Sequence, residues 1–123
     1  MQIVETSCAP KAIGPYSQAM KIERLVFTSG QIPLDPETGD LVGQDIVLQS
    51  HQVIKNLKAV LEAAGSDLTK VVKTTCFLTN MDTFSQFNEV YSTYFVNFPA
   101  RSCVEVSCLP RGALVEIEAV AEL

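Results

Sequence analysis

The sequence predicts an α+β domain with a mostly antiparallel or mixed sheet and two helices on one of its faces. Three observations carry this. Two stretches repeat apolar residues at helical spacing. Five or six shorter runs are β-branched and apolar, with turn residues between them. Two helices suffice to cover one sheet face, and nothing in the sequence is left over to cover the other.

The elements follow in chain order. Residues 1–17 read as irregular, punctuated by Pro10 and Gly14-Pro15. Arg24–Ile32 (RLVFTSGQI) reads as a strand. Asp35-Pro36 and Thr38-Gly39 then mark a tight turn or hairpin. Asp45–Ala64 is the clearest helix: Ile46, Val53, Leu57, Val60, Leu61 and Ala64 share a face, and Gly65 suits the position after the end. Lys70–Thr79 is β-branched and reads as a strand. A second helix follows, capped by Asp82 or Thr83, with Phe84, Phe87, Tyr91, Tyr94 and Phe95 on one side. The last two strands, RSCVEV and LVEIEAVA, flank LPRGA and are expected to form a hairpin or close antiparallel pair.

The 123 residues have the size of one domain, and we read 1–123 as a single unit without repeats or linkers. Apolar residues make up 47% of the chain, enough for a core without disulfides or metal. The net charge is −5 and the cations are scattered singly, which argues against non-specific nucleic-acid binding. No apolar run reaches the length of a membrane span. The first residues lack a basic start followed by an apolar stretch, so the expectation is a cytoplasmic protein. Four cysteines without a C-x-x-C pair, and one histidine, argue against structural zinc. Cys76 and Cys108 lie in strand-like apolar runs and read as small core residues, and His51 reads as a solvent-facing helix residue.

Alternation sorts the end of the chain into two faces. Arg101, Cys103, Glu105 and Ser107 share one; Ser102, Val104, Val106 and Cys108 share the other. In the last strand Glu116 and Glu118 oppose Val115, Ile117, Ala119 and Ala121. We expect the helix-free face to carry Arg101, Cys103 and the three glutamates. It is either a solvated sheet face or a face that packs on copies of itself, where buried charges need partners.

Seven segments, in order and spanning nearly the whole chain, resemble the Rid/YjgF family, specifically its RidA branch. They are AIGPYSQA (12–19), SGQIPLDPETG (29–39), NLKAVLEAAG (56–65), VVKTTCFL (71–78), FNEVYSTYF (87–95), PARSCVEV (99–106) and VEIEAVA (115–121). The loop from Phe95 to Pro99 is shorter than in some members. The resemblance implies a chorismate-mutase-like fold and a homotrimer with clefts between subunits. It implies hydrolysis of 2-iminobutanoate, 2-iminopropanoate and their enamine tautomers to 2-oxo acids and ammonia. It carries the carboxylate-binding arginine onto Arg101, its neighbouring cysteine onto Cys103 and the water-orienting glutamate onto Glu116. It also carries the site tyrosine onto Tyr16, the site asparagine onto Asn88, and the cleft-bordering SGQ onto Ser29, Gly30 and Gln31.

The residue types suit that chemistry. A planar guanidinium binds a carboxylate through two parallel hydrogen bonds. By spacing alone, Arg101 serves equally as such a clamp or as a salt-bridge partner of Glu105 or of another subunit's acid. A protonated imine is already activated, so no metal, cofactor or covalent nucleophile is expected. A carboxylate that holds water and takes its proton is enough. Glu116 and Glu118 both qualify by position, and only the resemblance ranks Glu116 first. Cys103 is expected to contribute shape and backbone bonds rather than a thiolate. Tyr16 either enters a neighbouring cleft or packs the N-terminal arm. Asn88 lines the site or braces a loop. Gly30 permits close approach of another chain or ligand. The alternatives to an imine deaminase are a non-catalytic 2-oxo-acid-binding regulatory module and, third, an endoribonuclease.

Overall fold

The computed structural model describes all 123 residues, Met1–Leu123. Six strands form one sheet: β1 (Gln2–Val4), β2 (Ala19–Ile22), β3 (Leu25–Thr28), β4 (Val71–Leu78), β5 (Ala100–Glu105) and β6 (Val115–Glu122). Two helices, α1 (Ile46–Ala63) and α2 (Phe84–Tyr94), pack on one face. The spatial order is β1-β2-β3-β6-β4-β5, antiparallel throughout except for the parallel β4–β5 pair. The α+β expectation holds.

α1 begins where its sequence says it should. Asp45 accepts a hydrogen bond from Leu48 N at 3.0 Å, and Gly65 leaves the helix at φ 89°. Val53, Ile54, Leu57, Val60 and Leu61 are fully buried against the sheet. The Asp35–Gly39 turn closes through Gly39 N to Asp35 O at 2.8 Å. At α2 the expected caps give way. Thr83 makes no side-chain cap, and Asn80 instead caps a short 3₁₀ turn, Met81–Thr83, that leads into the helix.

Several expectations need correction. Residues 1–17 are not wholly irregular, because β1 pairs with β2 at the sheet edge. The run from Arg24 is two elements: a tight turn at Glu23 (φ 52°) joins β2 to β3. The last two strands do not pair with each other. β4 lies between them, parallel to β5 and antiparallel to β6. The parallel pair forms because α2 carries the chain back from the end of β4 to the start of β5.

The face assignment of β5 also reverses. Cys76 lies opposite both Cys103 and Ile117, and directly opposed residues share a face. Cys76 and Ile117 are fully buried beneath the helices. Cys103 and, by alternation, Arg101 and Glu105 therefore point to the helix side. Phe77 lies opposite Val104 and Glu116, and this trio marks the helix-free face. Cys108 is exposed beyond the end of β5 and is no core residue. His51 does not simply face solvent: it is half-buried, and its Nδ1 hydrogen-bonds the Tyr94 hydroxyl at 2.8 Å between α1 and α2.

Candidate active site

Arg101 opens β5 at the sheet edge, alongside α2. Its Nη1 donates to Asn88 Oδ1 at 2.8 Å. Its guanidinium carbon lies 4.8 Å from the Tyr91 ring centroid and 5.5 Å from that of Phe84. Phe84, Asn88 and Tyr91 are spaced i, i+4, i+7, so one stripe of α2 faces the guanidinium. No acid of the chain pairs with it: the sole ion pair is Lys58–Glu62 on α1. Glu105, one of the partners that spacing left open, accepts instead from Met81 N at 2.7 Å and steadies the entry to α2. Asn88, Tyr91, Ser92, Phe98, Pro99 and Arg101 line an open hollow of about 300 Å³.

Cys103 follows on the same side, half-buried against the core. Burial pushes its thiol above the ordinary value, with Arg101 opposing the shift. A protonated thiol at neutral pH is no nucleophile.

A second group gathers on the opposite side of the sheet. Ser29, Gly30 and Gln31 run beside β6, with Gln31 N to Ile117 O at 2.8 Å and Ile117 N to Gln31 O at 3.1 Å. Gln31, directly opposite Ile117, is therefore buried on the helix side and, against expectation, does not join this group. Gly30 stands directly against Glu116: a β-carbon there would lie 2.7 Å from the Glu116 carboxyl carbon. Burial, and secondarily the Glu118 carboxylate, raise the Glu116 pKa. Glu118 is exposed on the same face and has no such contact. Ser29 Oγ donates to Ser17 O at 2.6 Å, tying this segment to the loop that carries Tyr16. Tyr16 packs over Gly14, accepts from Ile13 N at 3.3 Å and remains half exposed.

The chain therefore brings Arg101, Asn88 and Cys103 together, and separately Tyr16, Ser29, Gly30 and Glu116, while the Gln31 side chain joins neither group. It does not bring the two groups together. Arg101 and Glu116 leave opposite faces, two strand spacings (about 10 Å) apart. Sequence reasoning missed three supports of Arg101. Phe84 and Tyr91 read as core aromatics, and Thr74, whose hydroxyl bonds that of Tyr91 at 2.6 Å, read only as a strand residue. One signal was available: Asn88 interrupts the apolar stripe between Phe84 and Tyr91, and a polar residue there needs a partner.

Fold and site together define a class: a small α+β domain with a guanidinium half-site at one sheet edge and a carboxylate half-site on the bare face. A family model described as Endoribonuclease L-PSP matches residues 6–123, and the chain belongs to that family, which includes the Rid/YjgF proteins. It is 49% identical over 121 residues to the mouse protein named 2-iminobutanoate/2-iminopropanoate deaminase, covering 98% of this chain and 90% of the relative. It is 51% identical over 124 residues to a Lactococcus lactis relative that carries the name of a regulator, AldR, covering 100% and 98%. The crystal structure of RidA from an Antarctic Psychrobacter superposes with a TM-score of 0.97 at 42% identity, covering 100% of both chains.

Proposed function

We propose that this protein hydrolyses 2-imino acids such as 2-iminobutanoate and 2-iminopropanoate, with their enamine tautomers, to 2-oxo acids and ammonia in the cytoplasm. The observation that carries the reading is Arg101: a guanidinium aligned by an amide and two aromatic rings, with no carboxylate in its own chain to neutralise it. It binds the substrate carboxylate through its free N–H edge. Glu116 holds a water against the imine carbon. As the new C–O bond forms, Glu116 takes a water proton and the C=N electron pair moves to nitrogen. Glu116 then returns that proton to the amino nitrogen of the aminoalcohol. As the C–N bond breaks and the C=O of the 2-oxo acid forms, the hydroxyl proton passes to Glu116 and leaves with the ammonia as ammonium. A raised carboxylate pKa suits a base of this kind.

The Arg101 and Glu116 half-sites serve one substrate only if they come from different copies. We place the catalytic clefts between the subunits of a homotrimer assembled through the helix-free face. That face carries exposed Phe27, Val104, Ile3 and Ile22, an apolar content that favours burial. Tyr16, Ser29 and Gly30 then line the wall opposite Arg101 and Cys103.

The regulator's name of one relative favours a second reading, a module that binds a 2-oxo acid without turning anything over. The family description names an endoribonuclease, but His51 is engaged with Tyr94 between the helices and belongs to neither half-site. The deciding test generates 2-iminobutanoate with a threonine dehydratase and traps residual imine with semicarbazide. Less trapped imine with the wild type, and no change with Arg101→Ala, is the expected result. No effect of the wild type, with 2-oxobutanoate still bound, would establish the binding module instead.

A further inference from the structure

We infer that Tyr91 is a positioning residue for the Arg101 guanidinium and that the Thr74 hydroxyl sets its ring. The inference rests on the carboxylate-clamp reading of Arg101 and extends it to residues that touch no substrate.

The Tyr91 ring is held from three directions. Its hydroxyl meets the fully buried Thr74 hydroxyl of β4 at 2.6 Å, which fixes the ring axis. Phe95 stacks on it at 4.3 Å and 29°, which fixes the ring plane. Arg101 lies over the ring at 4.8 Å. Burial keeps the phenol protonated, so the tether is a neutral hydrogen bond. The negative face of such a ring attracts a cation and, unlike an acid, does not occupy the N–H edge. Asn88 pins one nitrogen from the side. The guanidinium is thus oriented while its carboxylate-binding edge stays free. An acid in place of Tyr91 would orient the arginine equally well but would compete with the substrate.

A packing role alone predicts lost stability without change in substrate affinity. The positioning role predicts a KM effect, because a carboxylate bound equally in ground and transition states enters KM and not kcat. The experiment compares Tyr91→Leu, which removes the ring, with Tyr91→Phe, which keeps it, and Thr74→Val, which removes the tether. Each is measured for KM and kcat on 2-iminobutanoate, for 2-oxobutanoate affinity and for thermal midpoint. The Arg101 Nε–H resonance is followed in protein labelled with ¹⁵N-arginine. There are three arginines in the chain, and Arg101→Lys assigns the signal.

Tyr91→Leu should raise KM and the 2-oxobutanoate Kd about tenfold, with kcat within about twofold. It should also return the ring-shifted Arg101 resonance to the ordinary arginine position. Tyr91→Phe should restore most of the affinity, and Thr74→Val should fall between the two. Unchanged KM, Kd and resonance in Tyr91→Leu would overturn the inference. If that variant does not fold, an Arg101 resonance left at its wild-type position with unchanged KM in Thr74→Val overturns it equally. A wild type that neither hydrolyses imine nor binds 2-oxobutanoate would remove the clamp reading, and with it this inference. A resonance still displaced by Tyr91 would then mark structural packing only.

Discussion

Arg101 faces two aromatic rings and one amide, and its own chain offers it no acid. Lysine retains the charge at such a place but neither stacks as a plane nor forms a fork. Arg101→Lys should keep the wild-type melting temperature and lower kcat/KM at least about tenfold in the coupled assay; wild-type kinetics would refute the clamp. Glu116 illustrates the reverse situation, a charge kept where it is disfavoured. Its folded-state pKa is raised, so the fold binds a proton more readily than the unfolded chain does. Stability therefore falls as pH rises from the ordinary glutamate range through the raised value. Glu116→Gln should melt higher than the wild type at pH 7, with the advantage vanishing below about pH 4, while turnover falls. Parallel melting curves across pH would contradict the burial argument. Gly30→Ala places a methyl where the Glu116 carboxyl sits. The side chain can swing away, so the fold should survive while kcat drops about tenfold or more; unchanged kcat would mean that the carboxylate's position is immaterial.

At the scale of elements, local signals and long-range pairing have separate jobs. The start of α1 is a local matter. Asp45→Ala should cost about 1 kcal/mol and lower the thermal midpoint by about 4 °C, leaving imine kinetics unchanged. A change in KM would mean that α1 reaches the site. α2 is different, because its apolar stripe both covers the sheet and presents Phe84, Asn88 and Tyr91 to the edge strand. β5 depends on this: its helix-side residues lie beside the end of the helical layer, where an arginine stays half exposed but is held on three sides. The one 3₁₀ turn ahead of α2 borrows Glu105 from β5 for its Met81 N–H, so strand and helix are fastened next to the hollow.

For the whole molecule, the division of the site is the main consequence. Sheet alternation separates the Arg101 and Glu116 groups, and no side-chain movement carries one through the sheet to the other. Under the trimer proposal, Arg101→Ala and Glu116→Ala are each inactive but damage different walls of a shared cleft. Subunits of the two variants, unfolded and refolded together at equal amounts, should regain about a quarter of wild-type activity, because random assembly pairs two intact walls that often. Absence of recovery, with mixed oligomers verified by mass, would place both residues' function within one chain.

The sequence by itself determined the α+β class, α1 with its caps, the span of β4 and the Asp35–Gly39 turn. Each of these depends on neighbours a few positions away, where periodicity and turn chemistry act. The family resemblance added the residues of both half-sites. Tertiary structure alone decided three things. β1 and β2 are too short to announce themselves and exist because they pair with each other and with β3. β6 inserts between β3 and β4, which no run of residues next to LPRGA encodes. The side of the sheet on which Arg101 stands follows from the Cys76–Cys103 register. Alternation divides a strand into two sets, but only its pairing with a neighbour says which set meets the helices. That one relation decides whether Arg101 and Glu116 share a chain's face or need a second copy to meet.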